Sequence, residues 1–186
     1  YDMRRIAKAV NFGLIYGQSA YGLANQIGVT PSEAEVFIKR YFERFPAVRT
    51  YMDRVREEAV SQGYVETLMN RRRYFPELQP EARTSHNRRQ AALRMAINAP
   101  IQGAAADIIK LAMLRLYHRL KESEVQARMI LQVHDELVVE APRNEVDTVV
   151  SLICDAMEGA FELRVPLKVD VEMGENWEEM EPVSKT

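Results

Sequence analysis

The stretch Met129-Ile130-Leu131-Gln132-Val133-His134-Asp135-Glu136-Leu137-Val138-Val139 sets two apolar, strand-like runs around a short polar group. Strand formers on both sides of turn-compatible residues predict an antiparallel hairpin with its turn near His134-Asp135. A turn has no structural need for an imidazole and two adjacent carboxylates, because like charges side by side repel. A bound hard cation removes that repulsion. Mg²⁺ takes oxygen ligands, usually one or two carboxylates together with substrate phosphates. Successive strand side chains face opposite ways, which makes Asp135 the ligand and Glu136 an assisting or late-binding group. Taken alone, the stretch fits a solvated turn between edge strands equally well.

The 186 residues suffice for one domain or two small ones, and the formal charge of −2 hides an asymmetry. Residues 71–94 carry seven arginines against Glu77 and Glu81, whereas residues 141–186 carry eleven acids against four bases. A basic middle and an acidic end suit a polyanion bound on one face. The single Cys154 excludes an internal disulfide and fits a reducing compartment. Nothing in the sequence reads as a membrane span or a signal peptide. The chain opens at Tyr1, already in a helical pattern, as expected of a piece of a larger protein.

Residues 3–16 read as a helix in which Arg4, Lys8, Phe12 and Tyr16 recur every fourth position. Two cations and two rings therefore share one face, while Ile6, Val10, Leu14 and Ala9 supply another, apolar one. Stacked cations suit a phosphate chain and rings suit a base or sugar; incidental spacing on a surface helix is the alternative. Gly13 and Gly17 permit close approach of a ligand or backbone. Thr30-Pro31-Ser32-Glu33 predicts a capping box opening a helix to about Arg44, and a second helix follows from about Ala47 to Gln62. Ile38, Tyr41, Phe42 and Phe45 are expected in the core.

A short strand at Tyr64–Leu68 leads into Arg71-Arg72-Arg73-Tyr74, arginines beside aromatics that fit a nucleic-acid backbone. A helix over 85–97 is expected to break at Ala99-Pro100, with another from Gln102 to about Lys121 and Asp107 in its first turn. Across that break Arg94, Asn98 and Gln102 fall four apart, as groups suited to base edges or sugars, or equally as caps and surface residues. His86 is expected in a loop and His118 on an exposed helix face. A helix over 144–160, a strand at 167–173 and a frayed tail after Met180 complete the reading.

Put together, these pieces resemble the family A DNA polymerases, the bacterial DNA polymerase I type. Arg4-x3-Lys8-x3-Phe12-x3-Tyr16-Gly17 is similar to the motif of the long fingers helix, and Gln132-Val-His134-Asp135-Glu136 to the palm motif with a catalytic aspartate. Gly63-Tyr-Val-Glu-Thr-Leu, Arg71-Arg-Arg and Arg94-x3-Asn98-Ala-Pro-x-Gln102-Gly lie between them in family order. The resemblance runs from about Met3 to Trp177. It implies an α+β fold of right-hand polymerase architecture: a helical fingers subdomain, residues 1–63, plus part of an antiparallel-sheet palm, residues 64–186. The upstream palm strand, the thumb and the exonuclease domain are expected to lie outside these residues.

What the resemblance implies for function is template-directed DNA synthesis, a nucleotidyl transfer from dNTP to a primer 3′-OH using two Mg²⁺ ions. Arg4 and Lys8 would hold the nucleotide phosphates, with Lys8 also assisting the leaving pyrophosphate. Phe12 would pack near the sugar, a residue that in this family tends to go with rejection of dideoxynucleotides. Tyr16 and Gly17 would receive the templating base, and Arg71, Arg94, Asn98 and Gln102 would contact primer–template DNA. His134 would lie near the primer terminus, Asp135 would bind metal, and Glu136 would assist. A second set of metal ligands is expected from a missing N-terminal polymerase segment, with Asp107, Asp170 and Glu172 as the candidates within the chain. The implied setting is the bacterial cytoplasm at the nucleoid, with no membrane partner. The alternative is a non-catalytic DNA-binding module. The chain departs from the family pattern at Asn70, where Gly is usual, at Leu93, where an acid is usual, and at Ala104, where a hydroxyl residue is usual.

Overall fold

A computed structural model describes residues 2–183. They form two compact units, one up to Ala104 and one from Ala105, divided inside one long helix.

The first unit opens with α1 (Asp2–Ile15), α2 (Ala20–Ile27), α3 (Pro31–Arg44) and α4 (Pro46–Gln62). Helix α2 is absent from the sequence reading, although its ends carry ordinary signals. Ser19 caps it by accepting from the Gly22 N–H, and Gly28 closes it in the left-handed region at φ 73°. Buried Leu14, Leu23, Ala24 and Ala34 join α1, α2 and α3, with Val10, Ile27 and Ile38 packed around them. Each fully buried leucine contributes about 1.5–3 kcal/mol.

The capping box of α3 is formed: the Glu33 N–H donates to Thr30 Oγ1, and the Thr30 N–H donates to Glu33 Oε2 at 2.9 Å. Those Thr30 bonds, backbone first and hydroxyl second, hold the Glu33 carboxyl below its ordinary range. The unfolded chain then binds the proton more readily. The contribution is present above the ordinary glutamate range and is lost as pH falls through the lowered value. Thr30→Ala is expected to cost about 1 kcal/mol in urea unfolding at neutral pH, and less in acid once Glu33 is protonated. Phe45, expected in the core, is 48% exposed at the α3–α4 junction, because Pro46 opens α4 there and turns the ring outward.

Two short strands follow, β1 (Tyr64–Glu66) and β2 (Arg72–Tyr74), paired antiparallel with Tyr64 opposite Tyr74. The arginine run is thus itself a strand, joined to β1 by a tight turn. Asn70 closes that turn at φ 59°, a conformation that Asn tolerates better than most residues other than Gly. The departure from Gly therefore keeps the turn.

The expected break at Pro100 does not occur. Helix α5 runs from His86 to Glu122, 37 residues with Pro100 inside, about 56 Å at helical rise. Proline there removes the hydrogen bond to the Ala96 carbonyl, a cost of about 3 kcal/mol. Packing offsets it: Ala92, Ala96 and Ala99 are buried against Val55 and Ala59 of α4, Val65 of β1, and Phe75 and Leu78. Leu93 joins this cluster from its edge, so an apolar residue there gains contacts. Ala104 is 8% exposed and, having no hydroxyl, leaves no buried polar atom to satisfy. Inside one helix, His86 becomes the first residue and Asp107 a mid-helix residue only 2% exposed, not a first-turn acid.

The second unit contains the rest of α5, the hairpin strands β3 (Arg128–Val133) and β4 (Glu136–Glu140), and α6 (Val146–Glu158). Leu116 and Leu120 of α5 pack with Val149 and Ala156 of α6, and Met129, Leu137 and Val139 of the hairpin close over them. Of the strand expected over 167–173, only β5 (Glu172–Met173) forms, paired with β6 (Glu181–Pro182) in the tail expected to fray. The alternation is real, with Leu167, Val169 and Val171 half-buried and Lys168 and Asp170 exposed. A ladder also needs a neighbouring backbone, and the Val169 N–H donates instead to the Glu158 carboxylate at 3.0 Å. Residues 184–186 of the tail lie outside the described residues. The whole is helix-rich with three two-stranded antiparallel sheets among the described residues, the α+β class expected.

Candidate functional site

In the first unit the functional face is set by how α1 is anchored. Residues two apart on a helix point about 200° from each other. Burying Val10 and Leu14 therefore turns Lys8, Phe12 and Tyr16 outward, and Arg4 with them. The rings of Phe12 and Tyr16 lie 6.0 Å apart and Lys8 Nζ sits 5.9 Å from the Phe12 ring. They line a cleft of about 530 Å³ together with Arg5, Gly13, Gln18 and Gln26. A cation at the rim of an aromatic wall is a fitting receptor for a phosphorylated, ring-bearing ligand.

Tyr16 follows α1, its N–H donating to the Phe12 carbonyl at 2.9 Å, and Gly17 turns the chain at φ 73°. A methyl group on Gly17 would meet the Arg94 stem at 3.1 Å, so the turn after α1 and the N-terminal part of α5 are in contact. Because α5 is unbroken, Arg94, Asn98 and Gln102 form one stripe of a single helix. Arg94 and Gln102 are exposed; Asn98 is half-buried, and its Oδ1 has no hydrogen-bond partner. Beside it, the Tyr51 hydroxyl donates to the Ile97 carbonyl at 3.3 Å, and burial pushes that phenol above its ordinary pKa.

The three arginines of the basic run are not equivalent. Arg72 donates to Glu66 at 2.8 Å and covers the Tyr64 ring at 4.5 Å, while Arg73 lies over Phe75 and reaches Met95 Sδ. Arg71 is exposed at the end of the turn, its N–H donating to Thr67 Oγ1. A methyl on Gly103 would collide with the Thr67 side chain, so the β1–β2 turn also rests on α5.

In the second unit the turn geometry follows from a bulge. Arg128 and Met129 pair with Glu140 and Val139, but Leu131 pairs with Val138, leaving Ile130 as the extra residue. Without it Gln132 would face Glu136 and residues 133–135 would form the loop. With it Val133 faces Glu136, and the loop shrinks to His134-Asp135. His134 takes φ 52°, a region where histidine is enriched over most side chains, and Gln132 Nε2 donates to its carbonyl at 2.6 Å. His134, Asp135 and Glu136 are all exposed. Their two carboxylates on one tight turn are hard oxygen donors, and that chemistry fits Mg²⁺. Among the described residues no group of three His, Cys, Asp or Glu side chains is placed to hold a metal, so Asp107, Asp170 and Glu172 do not complete such a group with Asp135.

Sequence reasoning missed Gln18 and Gln26 in the α1 cleft, which no motif marks. The available signal was the pair Gly13 and Gly22, which leave room on either side of the Gln18 side chain.

The chain belongs to DNA polymerase family A, whose profile matches residues 1–179. It is 53% identical over 176 residues to DNA polymerase I of Bacillus caldotenax, covering 95% of this chain and 20% of that protein. It is 50% identical over 175 residues to the thermostable DNA polymerase I of Thermus aquaticus, covering 94% and 20%. The chain thus spans about a fifth of the length of these relatives. Its fold matches the polymerase domain of Pol1 from M. smegmatis, solved with DNA primer–template and dNTP, at TM-score 0.83 and 45% identity, over 89% of this chain and 29% of that one. No described helix is long and apolar enough to cross a membrane.

Proposed function

We propose that the chain supplies the nucleotide-binding fingers, residues 1–63, and the C-terminal palm, residues 64–186, of a DNA-directed DNA polymerase. The observation that carries this reading is the outward stripe Arg4, Lys8, Phe12 and Tyr16, held rigid by the buried face of the same helix. Arg4 and Lys8 grip the dNTP phosphates, and Phe12 packs on the sugar. Tyr16 and Gly17 receive the templating base, and His134 lies by the primer terminus. Arg94, Asn98 and Gln102 follow the minor groove, where acceptors are nearly alike for every base pair, so the contact is blind to sequence. Arg71 holds the template backbone.

In the transfer the primer 3′-hydroxyl loses its proton to water as its oxygen bonds to the α-phosphorus, the bond from the α-phosphorus to the bridging oxygen breaks, and pyrophosphate departs with Lys8 donating a proton to that oxygen. Asp135 holds Mg²⁺, with Glu136 assisting and further ligands supplied by an N-terminal polymerase segment. Mg²⁺ held by Asp135 would supply neutralisation of the charge that develops on the phosphate during transfer. The polymerase acts at the bacterial nucleoid.

The test is binding of fluorescent primer–template across a salt series, with and without dNTP. Affinity is expected to fall linearly with log salt, Arg71→Ala to reduce the slope by about 1, and the dNTP matching the template to tighten the complex. Salt-independent binding, or indifference to the matching dNTP, would contradict the assignment.

A further inference from the structure

Among the polar side chains that line the α1 cleft, Gln18 is one to which the proposed roles give no work. It lines the cleft together with Phe12 and Tyr16. The Gln18 N–H donates to the Gly13 carbonyl at 2.8 Å, which turns the side chain back along α1. There the carboxamide lies against two glycines. A methyl on Gly13 would overlap it, and one on Gly22 would stand 3.0 Å from Cγ and 3.2 Å from Nε2. Two small residues thus fix where the amide sits, and no described group hydrogen-bonds to it. Its two N–H donors and its acceptor oxygen remain for whatever fills the cleft.

We propose that Gln18 is a positioning residue for the templating nucleotide, hydrogen-bonding the base that stacks on Tyr16. This rests on the reading of α1 as the fingers helix. An amide suits a site that must accept all four bases, because it carries both donors and an acceptor at one place. An aromatic wall alone holds any base by its face and leaves its in-plane angle free. One bond from a fixed amide sets that angle, which decides whether the base can pair with an incoming nucleotide.

The experiment is anisotropy titration of the chain with primer–templates whose first unpaired template position holds A, C, G, T or an abasic sugar. The wild type is expected to bind all four bases similarly and the abasic template less well. Gln18→Ala is expected to weaken the four base-bearing complexes about threefold to tenfold and to leave the abasic complex unchanged. Gly13→Ala, a change favourable to helix stability, should produce the same loss by displacing the amide. Equal weakening of base-bearing and abasic complexes in Gln18→Ala, or no change in either, would overturn the proposal. Tyr16→Ala separates the two levels of argument. If it abolishes the base-versus-abasic difference while Gln18→Ala does not, the fingers reading stands and the Gln18 role falls. If the wild type itself shows no such difference, both fall.

Discussion

Asp135→Ala is expected to lower primer extension by at least about 10³-fold while primer–template affinity stays within about twofold. The size follows from where the charge acts. Asp135 is exposed at a two-residue turn, and no described neighbour depends on it for packing or hydrogen bonding. Its loss leaves β3, β4 and their core contacts through Met129, Leu137 and Val139 in place. Stability should therefore change by no more than about 0.5 kcal/mol, the range of surface substitutions. A carboxylate that holds Mg²⁺ acts on charge developing between the attacking and leaving oxygens, so its removal falls on turnover more than on DNA affinity. Extension is to be measured with the N-terminal part of a family relative supplied. Retained extension in Asp135→Ala would remove Asp135 from the metal site, and a large loss of melting temperature would recast it as structural. Glu136→Ala, as an assisting group, should fall between this variant and the wild type.

The second large effect is expected at Lys8. Charge-assisted hydrogen bonds contribute about 1.5–3 kcal/mol each, so Lys8→Ala should weaken dNTP binding about tenfold to 150-fold. Arg4→Ala should act in the same direction. Lys8 sits on the exposed stripe of α1, opposite the Val10–Leu14 face that anchors the helix, so folding should be unaffected. Lys8→Arg is expected to restore much of the dNTP affinity, because charge is kept. A smaller recovery of kcat would point to proton transfer to the leaving group, since guanidinium does not give up its proton. An unchanged KM for dNTP in Lys8→Ala would contradict the phosphate-binding role.

Local signals account for what the sequence made legible. Thr30 and Glu33 write their capping box directly into the chain, and the four-residue spacing of α1 separates a packed face from a free one. Non-local packing explains the misses. Pro100 reads as a helix end until Val55, Ala59, Val65 and Phe75 are seen packed against the alanines before it. The bulge at Ile130 leaves no trace in an apolar run, yet it fixes the turn that presents Asp135. Gln18 was invisible because its position depends on two glycines, one on each side of it in sequence. The strand at 167–173 carries the right alternation, but a partner strand is not a property of its own residues.

The most direct measurement is primer extension with Mg²⁺ and four dNTPs, by this chain alone and by this chain mixed with the N-terminal part of a family A relative. The account predicts extension in the mixture, abolished by Asp135→Ala, and none by the chain alone. Primer–template bound in the mixture with no extension would contradict it and leave a DNA-binding module.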